Sequence, residues 1–350
     1  MTLQSLGWSA FFQAHLQDNT LRPCRVIGQG ASICLLHDGC GEILATFRGR
    51  LRNQPGFPPV VGDWVLVEPA SPDRYVIDSI LERRTAIVRK HAGSGVAPQV
   101  LAANVDRALL VTSMNQDFSV RRLERYLTLV WESGATPIIA LTKADLVGDT
   151  CPFRHEAEMR ALGFPVVCLS SVSGAGMSEL RSLLTAGETI VLLGSSGVGK
   201  STLINVLAGA NLRKTRTIRE KYGKGRHETT DRHLVPLPSG VLLIDTPGLR
   251  EVQLWASSKS VGETFPEISS LAANCRFRDC QHNGEPGCAV VAGVGTGEIA
   301  AERLKSFRHL RRELEYLDRQ SDILSAMRHK RKIKQILRAY EKQQRGHKES

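Results

Sequence analysis

Residues 189–210 read TIVLLGSSGVGKSTLINVLAGA, and this stretch decides the fold. The apolar run TIVLL leads into Gly194-Ser195-Ser196-Gly197-Val198-Gly199-Lys200-Ser201, which meets G-x-x-x-x-G-K-[ST] at every fixed position. An amphipathic helical pattern follows from Thr202. Glycines at these places let backbone N–H groups curl around phosphate oxygens, and the helix start adds the positive end of its dipole. Lys200 would neutralise phosphate charge, and Ser201 would ligate Mg²⁺ beside it. A strand, a phosphate loop and a helix in succession form one unit of an α/β sheet.

Outward from this loop the same alternation continues. Upstream, VDRALLVTS, TPIIALTKAD and FPVVCLSS read as strands, separated by helical stretches RRLERYLTLVWESG, FRHEAEMRALG and SELRSLLTAG. Downstream, HLVPLPSGVLLIDTPG supplies two more strands. Alternation on this scale predicts a mostly parallel sheet covered on both faces.

Two strand ends carry a base preference. Thr142-Lys143-Ala144-Asp145 follows the strand PIIAL in the form of the [NT]KxD motif of GTPases. The Asp145 carboxylate can accept from guanine N1–H and its exocyclic amine, a pair of donors that adenine does not present there. The Lys143 stem can lie along the base plane. Ser170-Ser171-Val172-Ser173, one βα unit later, stands where a backbone N–H would meet the guanine carbonyl. Thr202 completes the set expected to touch nucleotide.

Asp245-Thr246-Pro247-Gly248 follows the strand VLLI as a D-x-x-G element. Asp245 would reach Mg²⁺ through water, and the Gly248 N–H would reach the γ-phosphate. The next residue is Leu249, where Ras-like proteins carry the glutamine that orients the attacking water. Unassisted hydrolysis is therefore expected to be slow. The candidate replacement is His227, in the basic segment Gly225-Arg226-His227-Glu228-Thr229-Thr230, since a histidine of near-neutral pKa can orient or deprotonate water. Thr229 or Thr230 would close on Mg²⁺. With Lys200 and Gly248, His227 makes up the expected catalytic set.

The order of these motifs is unusual: guanine motif at 142, serine turn at 170, phosphate loop at 194, switch threonines at 229, D-x-x-G at 245. A cut and a join at the surface preserve core pairings if the original termini were close, so the order predicts a circularly permuted GTPase domain over 100–252. Before it, CRVIG, ASICLL, GEILATF, WVLVEP and RYVIDSIL are five short strands separated by Gly, Asp and Pro, the size of an OB-fold-like all-β barrel, in a domain spanning 1–90. After it, residues 253–350 hold Cys275, Cys280, His282 and Cys288, three thiolates and an imidazole suited to a closed, structural, tetrahedral Zn²⁺ site. Basic helical stretches follow.

The chain's 350 residues, 42% hydrophobic and 23% charged, fit a folded protein of two or three domains. No run approaches the roughly 20 apolar residues that span a bilayer. The N-terminus has no signal-peptide pattern, so a cytoplasmic protein without membrane contact is expected; a monomer is expected as well. The net charge of +11 is concentrated: residues 301–350 hold 15 Lys and Arg against 7 Asp and Glu, and 213–226 hold 7 against 1. Two basic concentrations point to a polyanionic partner.

Taken together, VVGDWV (60–65), ERRT (82–85), ANVD (103–106), GSSGVGKST (194–202), GKGRHETT (223–230), DTPG (245–248) and CRFRDCQHNGEPGCAV (275–290) resemble the bacterial RsgA family of small ribosomal subunit biogenesis GTPases, also called YjeQ or YloQ. The resemblance implies a GTP hydrolase of late 30S maturation that binds the subunit and its 16S rRNA, is stimulated there, and leaves after hydrolysis. Two positions depart from the family pattern: Thr142 stands where Asn is commoner, and Glu228 where a first threonine of three is usual. Two other readings stand beside this one: an RNA-binding assembly factor in which GTP is only a conformational ligand, and an ATP-dependent enzyme.

Overall fold

The computed structural model describes residues 1–16, 20–30, 32–53, 57–71, 74–90, 98–209, 232–245, 257–316 and 319. It divides into two compact units, one of Met1–Val88 with Val100–Gln253, the other of Arg89–Gln99 with Leu254–Ser350.

Five strands open the first unit: β1 Arg22–Gln29, β2 Cys34–His37, β3 Glu42–Phe47, β4 Trp64–Ser71 and β5 Arg74–Ile80. They pair in the order β1-β2-β3-β5-β4, and β4 returns to β1, with Cys24 opposite Val65. That return closes the barrel and removes its free edges. Each strand of the five-strand expectation is present. Cys24, Val26, Cys34, Leu36, Val65, Val67 and Ile77 point inward and fill it. Burial pushes the Cys24 and Cys34 thiols up to about 12, so both act as small apolar side chains. The N-terminal stretch, to which the sequence analysis assigned no element, forms helix α1 Ala10–Ala14. Phe12 lies against Trp64, and Trp8 meets the same indole edge-on at 4.7 Å.

After β6 Ala86–Lys90 and β7 Pro98–Ala103, the α/β sheet begins. Its strands are β8 Arg107–Ser113, β9 Thr136–Thr142, β10 Val166–Cys168, β11 Thr189–Leu193, β12 His233–Pro236 and β13 Leu242–Asp245. The order β10-β9-β8-β11-β13 is parallel throughout, and β12 adds antiparallel to β13. Helices α2 Val120–Ser133, α3 Cys151–Ala161, α4 Met177–Ser182 and α5 Lys200–Ala208 connect the strands. The helix α2 starts where the Ser119 hydroxyl accepts from the Arg122 N–H and stops at Gly134, whose φ of 77° ends the turn. Leu109, Val111, Ile138, Ala140, Ile190, Leu192 and Leu243 form the buried centre.

One sheet runs through barrel and nucleotide domain, because β1 pairs with β12 at Gly28 opposite His233. A buried polar seam reinforces the junction. Arg83 grips the carboxylate of Asp63 with two 2.7 Å bonds. Asn104 donates to the Gly62 carbonyl at 3.0 Å and accepts from the Arg84 N–H at 2.9 Å. Asp106 accepts from the Thr189 N–H at 2.7 Å, at the foot of the strand that leads to the phosphate loop. At the centre lies Arg25, 1% exposed, donating to the carbonyls of Leu6, Gly62 and Asn104 and to the Thr189 hydroxyl. The segments VVGDWV, ERRT and ANVD, far apart in the chain, meet at this seam.

In the second unit, helices Ser258–Thr264, Pro266–Ala272 and Ala289–Gly295 and a helix over 301–316 surround Phe265 and Phe307, whose rings meet edge-on at 5.6 Å. The basic stretch after 319 lies outside the described residues. No helix among the described residues is long and apolar enough to cross a membrane.

Candidate functional site

Ligands of open α/β sheets sit beyond the carboxyl ends of the strands. Five such ends, those of β8, β9, β10, β11 and β13, carry the residues here. Gly194 to Gly199 follow β11, and a Cβ on Gly194 would stand 2.3 Å from the Val111 carbonyl of β8, so only glycine fits. Gly199, at φ 96°, turns the chain into α5. Ser196 and Gly197 form the exposed rim of the loop, Val198 is buried beneath it, and Ser201 and Thr202 are exposed in the first turn of α5. The Lys200 ammonium donates to the Gly194 carbonyl at 2.6 Å and to that of Ser195. It is thus held over the loop, where phosphate oxygens would compete for it.

Thr142 ends β9, 2% exposed, and its hydroxyl lies 2.6 Å from the Val198 carbonyl and 3.2 Å from that of Thr112. One proton serves one acceptor, and the shorter bond ties the guanine motif directly to the phosphate loop. Lys143 takes a left-handed φ of 63°, which turns Asp145 into the exposed 3-10 turn Ala144–Leu146. The Ala144 N–H donates to Leu169 at 3.2 Å, joining this turn to the end of β10. There the buried Ser170 hydroxyl accepts from the N–H groups of Val172 and Ser173, shaping the serine turn that also carries Ser171.

Asp117 belongs to none of the sequence motifs. It lies after β8, accepts from the Ser195 hydroxyl at 3.2 Å and pairs with Arg122 at 3.0 Å. Only the adjacency of β8 and β11 brings it to the phosphate loop. Asp245 ends β13, opposite His233. His227, Thr229 and Thr230, and Thr246 to Leu249 including Gly248, lie outside the described residues.

In the second unit, Cys275, Cys280, His282 and Cys288 place their ligand atoms within 4.8 Å of one another. The Sγ atoms of Cys275 and Cys288 are 3.9 Å apart, and His282 Nδ1 lies 3.6 and 3.5 Å from them. A tetrahedral zinc ion would set sulfurs about 3.8 Å apart and sulfur to nitrogen about 3.5 Å. The donor set and its spacing fit that ion, and four protein ligands leave no position for substrate. His282 adopts a φ of 59°. The Glu285 carboxylate fixes the turn by accepting from the N–H groups of Gln281 at 2.9 Å and Asn283 at 2.7 Å. Burial, together with the nearby Arg311 and Arg308 guanidiniums, holds the His282 imidazole below its ordinary pKa and favours the neutral, ligating form. Arg308 donates to the His282 carbonyl and Arg311 to that of Gln281, clamping the knot to helix 301–316.

Phosphate loop, guanine motif and serine turn on one sheet edge, in permuted chain order, define a circularly permuted P-loop GTPase. Comparison with known proteins agrees. The RsgA GTPase family model matches residues 80–255. The small ribosomal subunit biogenesis GTPase RsgA of Syntrophotalea carbinolica is 44% identical over 361 residues, covering 99% of each chain. Among solved structures, YjeQ from Thermotoga maritima matches with a TM-score of 0.63 at 26% identity, covering 85% of this chain and 99% of its own. YloQ, described as a circularly permuted GTPase, matches at 0.61 and 26%, covering 88% and 98%. The chain belongs to the RsgA GTPase family.

Proposed function

We propose that the chain is a GTP-driven switch on the small ribosomal subunit, slow alone and stimulated when it binds a late 30S particle. It is a GTP hydrolase of small-subunit biogenesis, as its family is. The observation that carries the reading is the bond from Thr142 to the Val198 carbonyl, which makes base recognition and phosphate binding one rigid surface.

In this reading Thr142, Lys143 and Asp145 hold guanine, with Ser170 and Ser171 behind it. Residues Gly194 to Thr202 wrap the phosphates, and Lys200 leaves the loop carbonyls to neutralise them. Mg²⁺ bound with GTP adds positive charge at the phosphates and would be held by Ser201, Asp245 and Thr229 or Thr230. His227 orients or deprotonates the attacking water, and the Gly248 N–H meets the γ-phosphate. One Zn²⁺ per chain, held by Cys275, Cys280, His282 and Cys288, cross-links the second unit. The barrel in 1–90, the GTPase domain in 100–252 and the zinc module in 253–350 share the contact with 16S rRNA, supported by the closed barrel and the basic surplus of residues 301–350. The protein works as a monomer in the cytoplasm, beside the subunits it serves.

The test is GTP hydrolysis by the purified chain with and without purified 30S subunits, and with ATP as control. Slow, GTP-selective turnover that rises sharply with 30S is expected. GTP turnover indifferent to 30S would remove the ribosomal role and leave the GTPase.

A further inference from the structure

Of the three phenylalanines among the described residues of the second unit, Phe265 and Phe307 are buried against each other, while Phe277 is 44% exposed. It stands between two exposed arginines, Arg276 and Arg278, inside the zinc knot. Backbone hydrogen bonds tie down the loop that carries it. The Arg276 N–H donates to the Gly287 carbonyl at 3.1 Å, and the Phe277 carbonyl accepts from the Cys280 N–H at 3.3 Å. A Cβ on Gly287 would come 2.9 Å from that of Arg276, so the chain at 276 and the chain at 287 are in close contact. The Arg276 guanidinium lies over the Phe277 ring, 5.5 Å from its centroid.

We infer that Phe277, flanked by Arg276 and Arg278, is a stacking platform for one unpaired RNA base. The inference rests on the small-subunit reading above. An apolar ring exposed on a rigid loop gains by covering one face with a base, and every base has such a face. The adjacent guanidiniums suit the phosphates on either side of that base and can themselves stack on it. A second observation favours RNA as the occupant. Helix 301–316, whose Arg308 and Arg311 hold the knot, presents Lys305, His309, Arg312 and Tyr316 at exposed positions. These spacings of four, three and four residues put them on one side of the helix, an aromatic side chain within a basic stripe. A protein pocket would want the ring without this charge.

The experiment uses the full zinc-loaded chain with a non-hydrolysable GTP analogue. Binding of a fluorescein-labelled ten-nucleotide oligoadenylate and of purified 30S subunits is measured for the wild type, Phe277→Leu and Phe277→Trp. Zinc content and melting temperature, equal to wild type, certify the variants' fold. Leucine keeps the apolar volume without the π-face and should weaken oligonucleotide binding by about tenfold, while Trp restores it. An abasic oligonucleotide of the same length should bind the wild type as weakly as oligoadenylate binds Phe277→Leu. Wild-type oligonucleotide affinity in Phe277→Leu, with 30S binding intact, overturns the platform and leaves the ribosomal reading standing. Loss of 30S binding alone in that variant would seat the ring against a ribosomal protein, which also overturns it. A wild type that binds neither 30S nor oligonucleotide removes the parent reading and this inference together.

Discussion

The Thr142 hydroxyl donates a 2.6 Å hydrogen bond to the Val198 carbonyl, joining residues 56 positions apart in the chain. Val198 and Thr142 are both buried, so this bond fixes how far the guanine motif stands from the phosphate loop. Nucleotide affinity should depend on it.

Thr142→Val keeps the shape and removes the proton, leaving the Val198 carbonyl without that donor at a cost of about 1–3 kcal/mol. GTP and GDP affinity should fall by at least several-fold, with a lower melting temperature, whereas Thr142→Ser should retain both. Titration with a fluorescent guanine nucleotide checks this. Equal affinity in Thr142→Val would show that the bond carries no weight.

Arg25 tests the seam between barrel and nucleotide sheet. Its guanidinium is fully buried, and burial lowers its pKa to about 10, which still leaves it charged at neutral pH. Arg25→Met strands the carbonyls of Leu6 and Asn104 together, while Gly62 keeps the bond from Asn104. A loss of about 3 kcal/mol or more in urea unfolding is expected, since each stranded acceptor costs about 1–3 kcal/mol.

Asp38 gives the barrel an acid-sensitive contact. Burial alone would raise its carboxyl pKa, yet the N–H groups of Gly41 and Cys40 and the Arg22 guanidinium outweigh it and hold the pKa below its ordinary value. A depressed folded-state pKa contributes stability that is present above the unfolded value of about 3.9 and is lost as pH falls below it. Asp38→Asn should therefore melt lower than wild type at neutral pH, with the gap closing as pH falls from about 4 towards the folded-state pKa. A gap that stayed constant with pH would show that Asp38 is not the titrating group.

Zinc is accessible to a direct assay. A chromogenic chelator should release one Zn²⁺ per chain, and His282→Ala should bind less than that. Because the knot anchors helix 301–316 through Arg308 and Arg311, metal loss should remove helical signal in far-UV circular dichroism. Guanine-nucleotide binding, located in the other compact unit, should persist. Helical content unchanged on chelation would argue that the knot stands without metal.

What could be read without coordinates was local. The phosphate loop, the D-x-x-G element and the Cys/His spacing are short, and the strand–helix alternation follows from side-chain periodicity within single elements. The order of the motifs is a property of the chain, so the permutation was legible as well. The five barrel strands showed themselves through runs of Val, Ile, Leu and Phe between turn residues. What only the tertiary structure decided were contacts between residues remote in the chain. Asp117 reaches Ser195 across 78 positions, and Arg25 reaches Thr189 across 164. No periodicity reports such pairs, because they depend on which strands become neighbours and on how the barrel closes. The packing of Phe12 on Trp64 and the exposure of Phe277 have the same origin: a sequence shows that a ring is apolar, and only the assembled fold decides whether anything covers it.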